Sequence, residues 1–258
     1  MIKAEHLNFA YGAQQVLSDV SFKINKGDKV VLLGINGSGK STLLKILDGL
    51  LPVNSGKIFY RNIWLTAKQL KNKNFLRRFR SEVVLLFQNP DVMLFNPTVF
   101  DEIAFALRQL EKDHIEEKVK YWADKVGVTS FLDRSPFSLS TGEKKKVCLA
   151  SILVLEPELL LLDEPTSNLD PKSTGWLVEL INGLKATTLI ATHNLSLAPE
   201  LGDRAFVLSA AHRIIFDGQI EHFINDEEKL LEAGLLHQHT HRHSSLIHKH
   251  YHAHESWE

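Results

Sequence analysis

Nine residues near the N-terminus constrain the fold more than any other part of the chain. They read Gly34-Ile35-Asn36-Gly37-Ser38-Gly39-Lys40-Ser41-Thr42 and match the pattern G-x-x-x-x-G-K-[ST]. The apolar run before them (residues 29–33) predicts a buried strand, and residues 43–47 after them predict the start of a helix. Glycines let successive N–H groups converge on an anion, and a helix N-terminus adds partial positive charge. The stretch therefore predicts a phosphate-binding loop, and its flanks weigh against a glycine-rich turn that binds nothing.

Two side chains of this loop have defined tasks in the pattern. Lys40 can reach the β- and γ-phosphates of a nucleotide, and the hydroxyl of Ser41 can hold Mg²⁺. We expect a nucleoside triphosphate with Mg²⁺ to contact the whole loop, which comprises Gly34, Ile35, Asn36, Gly37, Ser38, Gly39, Lys40, Ser41 and Thr42.

A pair of acids follows a second apolar run. Four leucines (residues 159–162) precede Asp163 and Glu164, where a strand would leave its sheet. Asp163 can meet the Mg²⁺ held near Ser41, and Glu164 can accept the proton of an attacking water, as phosphoryl transfer to water requires. The alternative is a strand capped by solvated acids.

The order of patterns along the chain predicts the fold class. Residues 1–27 alternate polar and apolar side chains, which predicts an antiparallel strand pair, and apolar runs then alternate with helical patterns. No strand pattern occurs between Gln88 and Leu159, so we expect an inserted helical subdomain over about residues 90–158. The prediction is an α/β P-loop NTPase (RecA-like) fold, with a mainly parallel sheet core, an N-terminal antiparallel β subdomain and the helical insertion.

The end of the chain divides into a cassette and a tail. Residues 205–208 and 213–216 predict a small hairpin, and Asp226–Leu236 predicts a short helix. We place the boundary after residue 236, with residues 237–258 as a histidine-rich flexible tail.

Composition excludes several classes of protein. The formal net charge of −1 disfavours a nucleic-acid partner, and the single Cys148 permits no internal disulfide, which fits a reducing cytosol. No apolar run approaches the roughly eighteen residues of a membrane span. One basic segment interrupts this neutral chain, as either a patch for phosphates or lipid headgroups or a solvated helix face; its cations are Lys68, Lys71, Lys73, Arg77, Arg78 and Arg80.

Taken together, the motifs resemble the nucleotide-binding subunit of an ATP-binding-cassette (ABC) transporter over roughly residues 1–235. Gly34–Ser41 resembles the Walker A motif, Leu139–Glu143 the ABC signature, and Ser167–Asp170 the D-loop. The resemblance implies ATP as the nucleotide. It also implies roles for single residues: Asp163 as the Walker B ligand of Mg²⁺, Glu164 as the catalytic glutamate, Gln88 as the Q-loop glutamine and Mg²⁺ ligand, His193 as the switch histidine, Tyr11 as the ring stacked on adenine, and Ser140, Gly142 and Asp170 as further nucleotide contacts.

The signature departs from the family pattern, which is usually Leu-Ser-Gly-Gly-Gln. This chain has Thr141 and Glu143 at the third and fifth positions. Ser140 and the amide of Gly142 can still bind a γ-phosphate at a helix N-terminus. We therefore expect this departure to leave phosphate binding intact. It could slow ATP turnover, or mark one of two unequal nucleotide sites in a pair of subunits.

The resemblance also implies partners. In the family, two such subunits pack head to tail, and the segment around Gln88 meets a membrane-embedded coupling subunit. Residues 87–91 and 94–99 resemble the version in energy-coupling-factor (ECF) importers, which take up vitamins, cobalt or nickel with a substrate-binding membrane subunit. We therefore expect a second ATPase subunit, either identical or closely related, and a peripheral position on the cytoplasmic face of the membrane.

The tail concentrates one residue type. Eight of the thirteen histidines fall at alternate positions in two blocks: His237, His239, His241 and His243, then His248, His250, His252 and His254. Alternate residues of an extended chain share a side, so four imidazoles can converge on an ion such as Ni²⁺ or Co²⁺. An expression tag and a solvated low-complexity tail are the alternatives.

The leading hypothesis is thus the ATPase subunit of a nickel or cobalt importer. An ECF-type ATPase for a vitamin, a soluble ABC ATPase acting on DNA or ribosomes, and a module that buffers metal through its tail remain as alternatives.

Overall fold

A computed structural model describes residues 1–243 and 246–253, and the side chains of residues 1–236. His254, one of the predicted metal ligands, lies outside the described residues. The chain forms two compact units. Unit 1 contains residues 1–65 and the chain from residue 189 onward, and unit 2 contains Thr66–Thr188.

Unit 1 begins with the predicted antiparallel strands. Its first elements are β1 (Ile2–Tyr11), β2 (Gln14–Ile24), β3 (Lys29–Leu33), α1 (Lys40–Leu47), β4 (Ser55–Tyr60) and β5 (Ile63–Trp64). Strands β2, β1, β4 and β5 form an antiparallel sheet in that order, with Ile2 opposite both Ile24 and Tyr60. All three side chains are buried, because the alternating pattern places one apolar face against the core. The predicted β subdomain is confirmed.

Unit 2 contains the predicted helical insertion. Its elements are α2 (Ala67–Lys71), α3 (Lys73–Glu82), β6 (Val83–Leu86), α4 (Val99–Gln109), α5 (Ile115–Val126), α6 (Thr141–Leu153), β7 (Leu159–Asp163) and α7 (Pro171–Gly183). Strands β6 and β7 pair in parallel, with Val83 opposite Leu159. Within the described chain, residues 88–158 hold helices and 3₁₀ turns and no strand, because their apolar side chains recur at the helical period.

The basic segment forms α2 and α3, as its solvated-helix interpretation predicts. Arg78 bonds Glu82 one turn along the same helix at 2.8 Å, and Arg77 lies 3.5 Å from Glu111. Only Phe79 of these two helices is buried. Whether the segment also binds phosphates or lipids stays a prediction.

The second part of unit 1 completes the sheet around the loop strand. Its elements are β8 (Thr187–Thr192), which begins at the end of unit 2, α8 (Ala198–Leu201), β9 (Arg204–Leu208), β10 (Ile214–Gln219), α9 (Ile220–Ile224) and α10 (Glu227–Glu232). Here the strand order is β10, β9, β3, β8. Strand β3 pairs in parallel with β9, and β9 with β10 forms the predicted antiparallel hairpin. An interior position explains why the loop strand is apolar on both faces.

The last predicted helix is shorter than expected. It ends at Glu232 because Gly234 adopts φ +70°, a left-handed conformation that ends helices. The N–H of Gly234 then bonds the carbonyl of Leu231, and the N–H of Leu235 bonds that of Leu230 at 2.9 Å. These bonds satisfy carbonyls that the helix end leaves open.

The histidine-rich segment also differs from the expected flexible tail. Its backbone forms β11 (Leu236–His243) and β12 (Leu246–Ala253), an antiparallel pair. Alternation at every second residue suits a strand as well as an extended coil, and the sequence pattern did not separate the two.

Candidate nucleotide site

The predicted phosphate loop connects β3 to α1, as the pattern requires. Gly39 caps α1 with φ +112°, a conformation that side chains other than glycine rarely adopt. A Cβ at this position would lie 2.5 Å from the carbonyl oxygen of Val16 on β2. Both strain and a close neighbour therefore exclude any larger residue, so the loop geometry depends on this glycine.

The side chain of Lys40 points back into the loop. Its Nζ donates hydrogen bonds to the carbonyl oxygens of Gly34 at 2.6 Å and Ile35 at 3.2 Å, and the residue is only 6% exposed. The ammonium is thus held among the backbone atoms that would surround a phosphate. A buried cation here fits a polyanionic ligand, which would replace two neutral acceptors by charged ones.

Ser38 supplies a second sign that the loop fits a phosphate. Its side chain is 1% exposed, and its Oγ has no hydrogen-bond partner among the described residues. A buried hydroxyl without a partner costs free energy unless a ligand or water completes it. The residues of the loop therefore fit a triphosphate, and Ser41, next to Lys40 on α1, offers the hydroxyl ligand that Mg²⁺ accepts.

A histidine in the β9–β10 turn contacts the loop, and no motif in the sequence predicted this contact. The Nδ1 of His212 lies 3.1 Å from the carbonyl oxygen of Ser38. A carbonyl only accepts, so this ring nitrogen is the donor. The N–H of Ser18 on β2 bonds the carbonyl of His212 at 2.9 Å, which fixes the turn from the other side.

The loop and the predicted switch histidine share a cavity. His193 follows β8 directly, and the cavity, of about 340 Å³, is lined by Ile35, Asn36, His193, Gly234 and Leu235. The structure thus brings His193 and the phosphate loop to the same cavity, and the contact of His193 with a γ-phosphate stays a prediction. Gly234 and Leu235, which follow α10, were not predicted to be there.

Tyr11 is available for stacking at the end of β1. Half of its side chain is exposed, and its ring meets Phe9 edge-on with centroids 4.8 Å apart. The exposed half of the side chain is accessible to a partner, which suits the predicted adenine stacking. That role stays a prediction.

The acid pair lies in unit 2, where β7 ends. Asp163 is the last residue of β7, Glu164 follows with φ +44°, and both side chains are about 95% buried. A left-handed glutamate is strained, and strain of this kind concentrates at functional sites. Lys145 of α6 donates to the carbonyl of Ser167 at 2.7 Å; burial lowers the pKa of Lys145, and the charge of Glu164 opposes that shift. The amine of Lys145 therefore lies near enough to Glu164 for the two groups to interact electrostatically.

The signature segment forms the start of α6. Ser140 caps the helix, and its N–H and Oγ donate to the carboxylate of Glu143 at 2.8 and 2.6 Å. The N–H of Glu143 bonds Ser140 Oγ in return, which completes a capping box. Glu143, one of the two residues that depart from the family pattern, thus stabilises the segment, and the hydrogen bonds from Ser140 lower the pKa of Glu143.

The other two predicted site residues lie at the ends of elements of unit 2. Gln88 is exposed in the bend after β6. Asp170 caps α7: its carboxylate accepts the N–H of Ser173 at 3.0 Å and the Ser173 hydroxyl at 2.6 Å, which lowers the pKa of Asp170. Their nucleotide and Mg²⁺ contacts stay predictions.

Among the side chains described, up to residue 236, no group of three or more His, Cys, Asp or Glu is placed to hold a metal ion. Within the described chain, no helix has the length and apolar content needed to cross a bilayer.

Comparison with known proteins gives consistent matches. A family model described as ABC transporter matches residues 17–167. A putative ABC transporter ATP-binding protein of Methanosarcina acetivorans is 42% identical, over 93% of this chain and 90% of the relative. One of Archaeoglobus fulgidus is 41% identical, over 92% of this chain and 98% of the relative.

A solved structure extends the match to the fold. CbiO1 from Clostridium perfringens, described as part of the ABC transporter complex cbiONQ, superposes with a TM-score of 0.75 at 31% identity, over 91% of this chain and 94% of that chain.

Proposed function

Since the chain belongs to the ABC transporter family and is an ATPase subunit, we propose that it energises import of a transition metal ion, nickel or cobalt, through membrane partner subunits. The buried Lys40, held inside a phosphate loop that has an unpartnered hydroxyl, is the observation that carries the ATPase part of this proposal. The similarity to CbiO1 and the ECF-like segment after Gln88 support the importer part.

In the proposed reaction, Lys40 neutralises charge on the β- and γ-phosphates while the loop amides hold them. Mg²⁺ would be held by Ser41, Gln88 and Asp163, and would supply further charge neutralisation. Glu164 accepts a proton from the attacking water, and His193 donates a hydrogen bond to the γ-phosphate through one ring nitrogen. Tyr11 stacks on adenine, and Asp170 contributes from the D-loop.

ABC ATPases act as dimers with membrane subunits, and we propose the same assembly here. A second ATPase subunit would place its signature, Ser140 and Gly142, against the nucleotide held by the phosphate loop of the first. The coupling subunit and a substrate-binding membrane subunit would hold the pair at the cytoplasmic face of the membrane.

We also propose that the histidine-rich strands bind Ni²⁺ or Co²⁺ as a local store or sensor. Their eight histidines, seven of them on the described strands, carry this part. Imidazole suits both ions, so the chemistry leaves the choice between them to measurement.

Uptake in the native cell tests the cargo. Cells that carry Glu164→Gln in place of the natural residue should lose accumulation of radioactive Ni²⁺ or Co²⁺ while protein levels stay constant. Normal uptake of both ions, with loss of uptake of a vitamin, would replace metal import by the vitamin alternative. Unchanged uptake of every solute, despite lost ATP hydrolysis, would favour a soluble ATPase.

A further inference from the structure

The register of the last two strands pairs histidine with histidine. Three such cross-strand pairs occur: His237 with His252, His239 with His250, and His241 with His248. Residues at every second position of a strand belong to the same face of the sheet, and directly opposite residues share that face. All six therefore belong to one face of the pair β11–β12, which we call the histidine hairpin.

Pairing of the two strands brings histidines from both blocks together, which a single extended strand would not do. Directly opposite residues in antiparallel strands have Cβ atoms about 5 Å apart, and neighbouring pairs follow about 7 Å along the strands. Two adjacent pairs, such as His239 with His250 and His241 with His248, thus place four histidines at neighbouring register positions on one face of the hairpin. Imidazole is a preferred ligand of nickel, copper and zinc.

The hairpin begins where the wall of the nucleotide cavity ends. Gly234 and Leu235 line the cavity with Ile35 and Asn36 of the phosphate loop, and β11 starts at the next residue, Leu236. Leu235 is 1% exposed, and a Cβ on Gly234 would lie 3.3 Å from Ile35 Cγ2. No linker separates the strand β11 from this wall.

We propose that the histidine hairpin is a regulatory site for a divalent transition metal ion, whose occupancy tightens nucleotide binding at the phosphate loop. Binding of the metal ion by histidines of both strands would cross-link β11 to β12 and restrict the motion of Gly234 and Leu235. The nucleotide would then bind to a cavity wall that is already ordered, at a lower cost in conformational entropy. The proposal rests on the proposed ATPase function, because it assigns regulation to the same nucleotide site.

The test uses full-length protein, with Ni²⁺ alone as the metal probe. Protein is loaded with Ni²⁺, freed of excess metal and titrated with a fluorescent ATP analogue in excess Mg²⁺. We expect about fivefold tighter nucleotide binding than in the metal-free protein, and linkage requires the nucleotide to tighten Ni²⁺ binding by the same factor. A combined variant, His239→Asn with His241→Asn, His248→Asn and His250→Asn, should lose most bound Ni²⁺ and the nucleotide response. His222→Asn, on the exposed face of α9, is the matched control and should keep both.

A pair of glycine variants separates metal binding from its effect on the nucleotide. Gly234→Ala should keep the Ni²⁺ stoichiometry and lose the fivefold response, because its new methyl group presses on Ile35. Gly127→Ala is the control. Gly127 ends α5 with φ +72°, and among the described residues a Cβ there would have no neighbour within 4 Å, so the variant shares the backbone strain without touching the loop.

Three results would overturn the proposal. Equal Ni²⁺ stoichiometry in the wild type and the four-histidine variant would remove the site. If Ni²⁺-loaded wild-type protein bound the nucleotide no more tightly than metal-free protein, the coupling would be refuted. Normal nucleotide binding by the metal-free protein in that experiment would still support the ATPase function. A metal-free protein that binds no nucleotide would instead contradict the proposed function and remove the inference with it.

Discussion

The phosphate loop and the signature segment each precede a helix and present backbone amides at its N-terminus. They differ in how closely neighbouring residues of their own unit surround them. In the loop, Lys40 is buried and bonded to loop carbonyls, and Gly39 touches β2 so closely that no side chain fits. In the signature, Ser140 is exposed, and the nearest described atom that a Cβ on Gly142 would meet outside its own helix belongs to Leu169, at 3.8 Å. The loop is therefore tightly packed against its neighbours, whereas the signature is a capped helix N-terminus that is exposed.

The difference explains how each segment tolerates change. The loop is shaped by close backbone contacts, so adding a single methyl group at Gly39 should disrupt its conformation. A capped, exposed helix start keeps its shape through the hydrogen bonds between Ser140 and Glu143. An exposed signature segment is compatible with the proposed head-to-tail pairing of two subunits.

The largest effect is expected from Lys40→Ala, which removes the buried charge of the loop. Truncating a buried, hydrogen-bonded charge costs about 3 kcal/mol or more, which is at least a hundredfold in affinity. ATP affinity should fall by that factor in an equilibrium titration. Lys45→Ala, on the same helix outside the loop motif, should bind ATP normally. Equal affinities for the two variants would contradict the role of Lys40.

Glu164→Gln should separate hydrolysis from binding. The amide keeps the shape of the side chain and cannot accept a proton from water, so kcat should fall about a hundredfold or more while ATP stays bound. Steady-state ATPase activity and nucleotide retention, measured together, give the comparison. Glu179→Gln, exposed on α7, is the control. Near-normal turnover in Glu164→Gln would mean that another residue is the base.

A pair of glycine-to-alanine variants sharpens the comparison itself. Gly39→Ala should destabilise the fold by about 3 kcal/mol, because the added carbon would lie 2.5 Å from the carbonyl oxygen of Val16. Gly142→Ala should leave stability unchanged or raise it by about 0.5 kcal/mol, since alanine favours a helix and the site has room. Chemical denaturation of both variants measures this contrast. Similar losses would show that the signature is as tightly confined as the loop.

The smallest effect concerns Glu143 and pH. The bonds from Ser140 place the folded-state pKa of Glu143 below its ordinary value of 4.5. Its carboxylate therefore stabilises the fold fully above that value, and the contribution is lost as the pH falls through the lower folded-state pKa. Glu143→Gln keeps a capping acceptor and should change stability near neutral pH by less than about 0.5 kcal/mol.

Thermal unfolding measured from neutral pH down through the lowered folded-state pKa of Glu143 tests this effect. The variant should lose part of the acid-dependent drop in Tm that the natural protein shows. Identical pH profiles for the two proteins would mean that the capping bonds contribute nothing to stability.

Local patterns in the sequence determined much of the fold and of the candidate site. The strand before Gly34, the acids after residue 162 and the helical insertion were all predicted, because each depends on neighbours within about ten residues of the chain. Ser140 and Glu143 also have capping-box spacing, although the sequence pattern was interpreted as a departure from a family motif.

Only the tertiary structure decided which distant segments complete the site. His212 meets Ser38 across 174 positions, and Gly234 and Leu235 join the wall beside Ile35 because α10 stops two residues earlier. The strand pairing that sets His239 opposite His250 depends on register. The periodicity of a sequence predicts which face of an element a residue lies on, but not which residue of another segment it contacts. That contact depends on packing and hydrogen bonding between segments that come together only on folding.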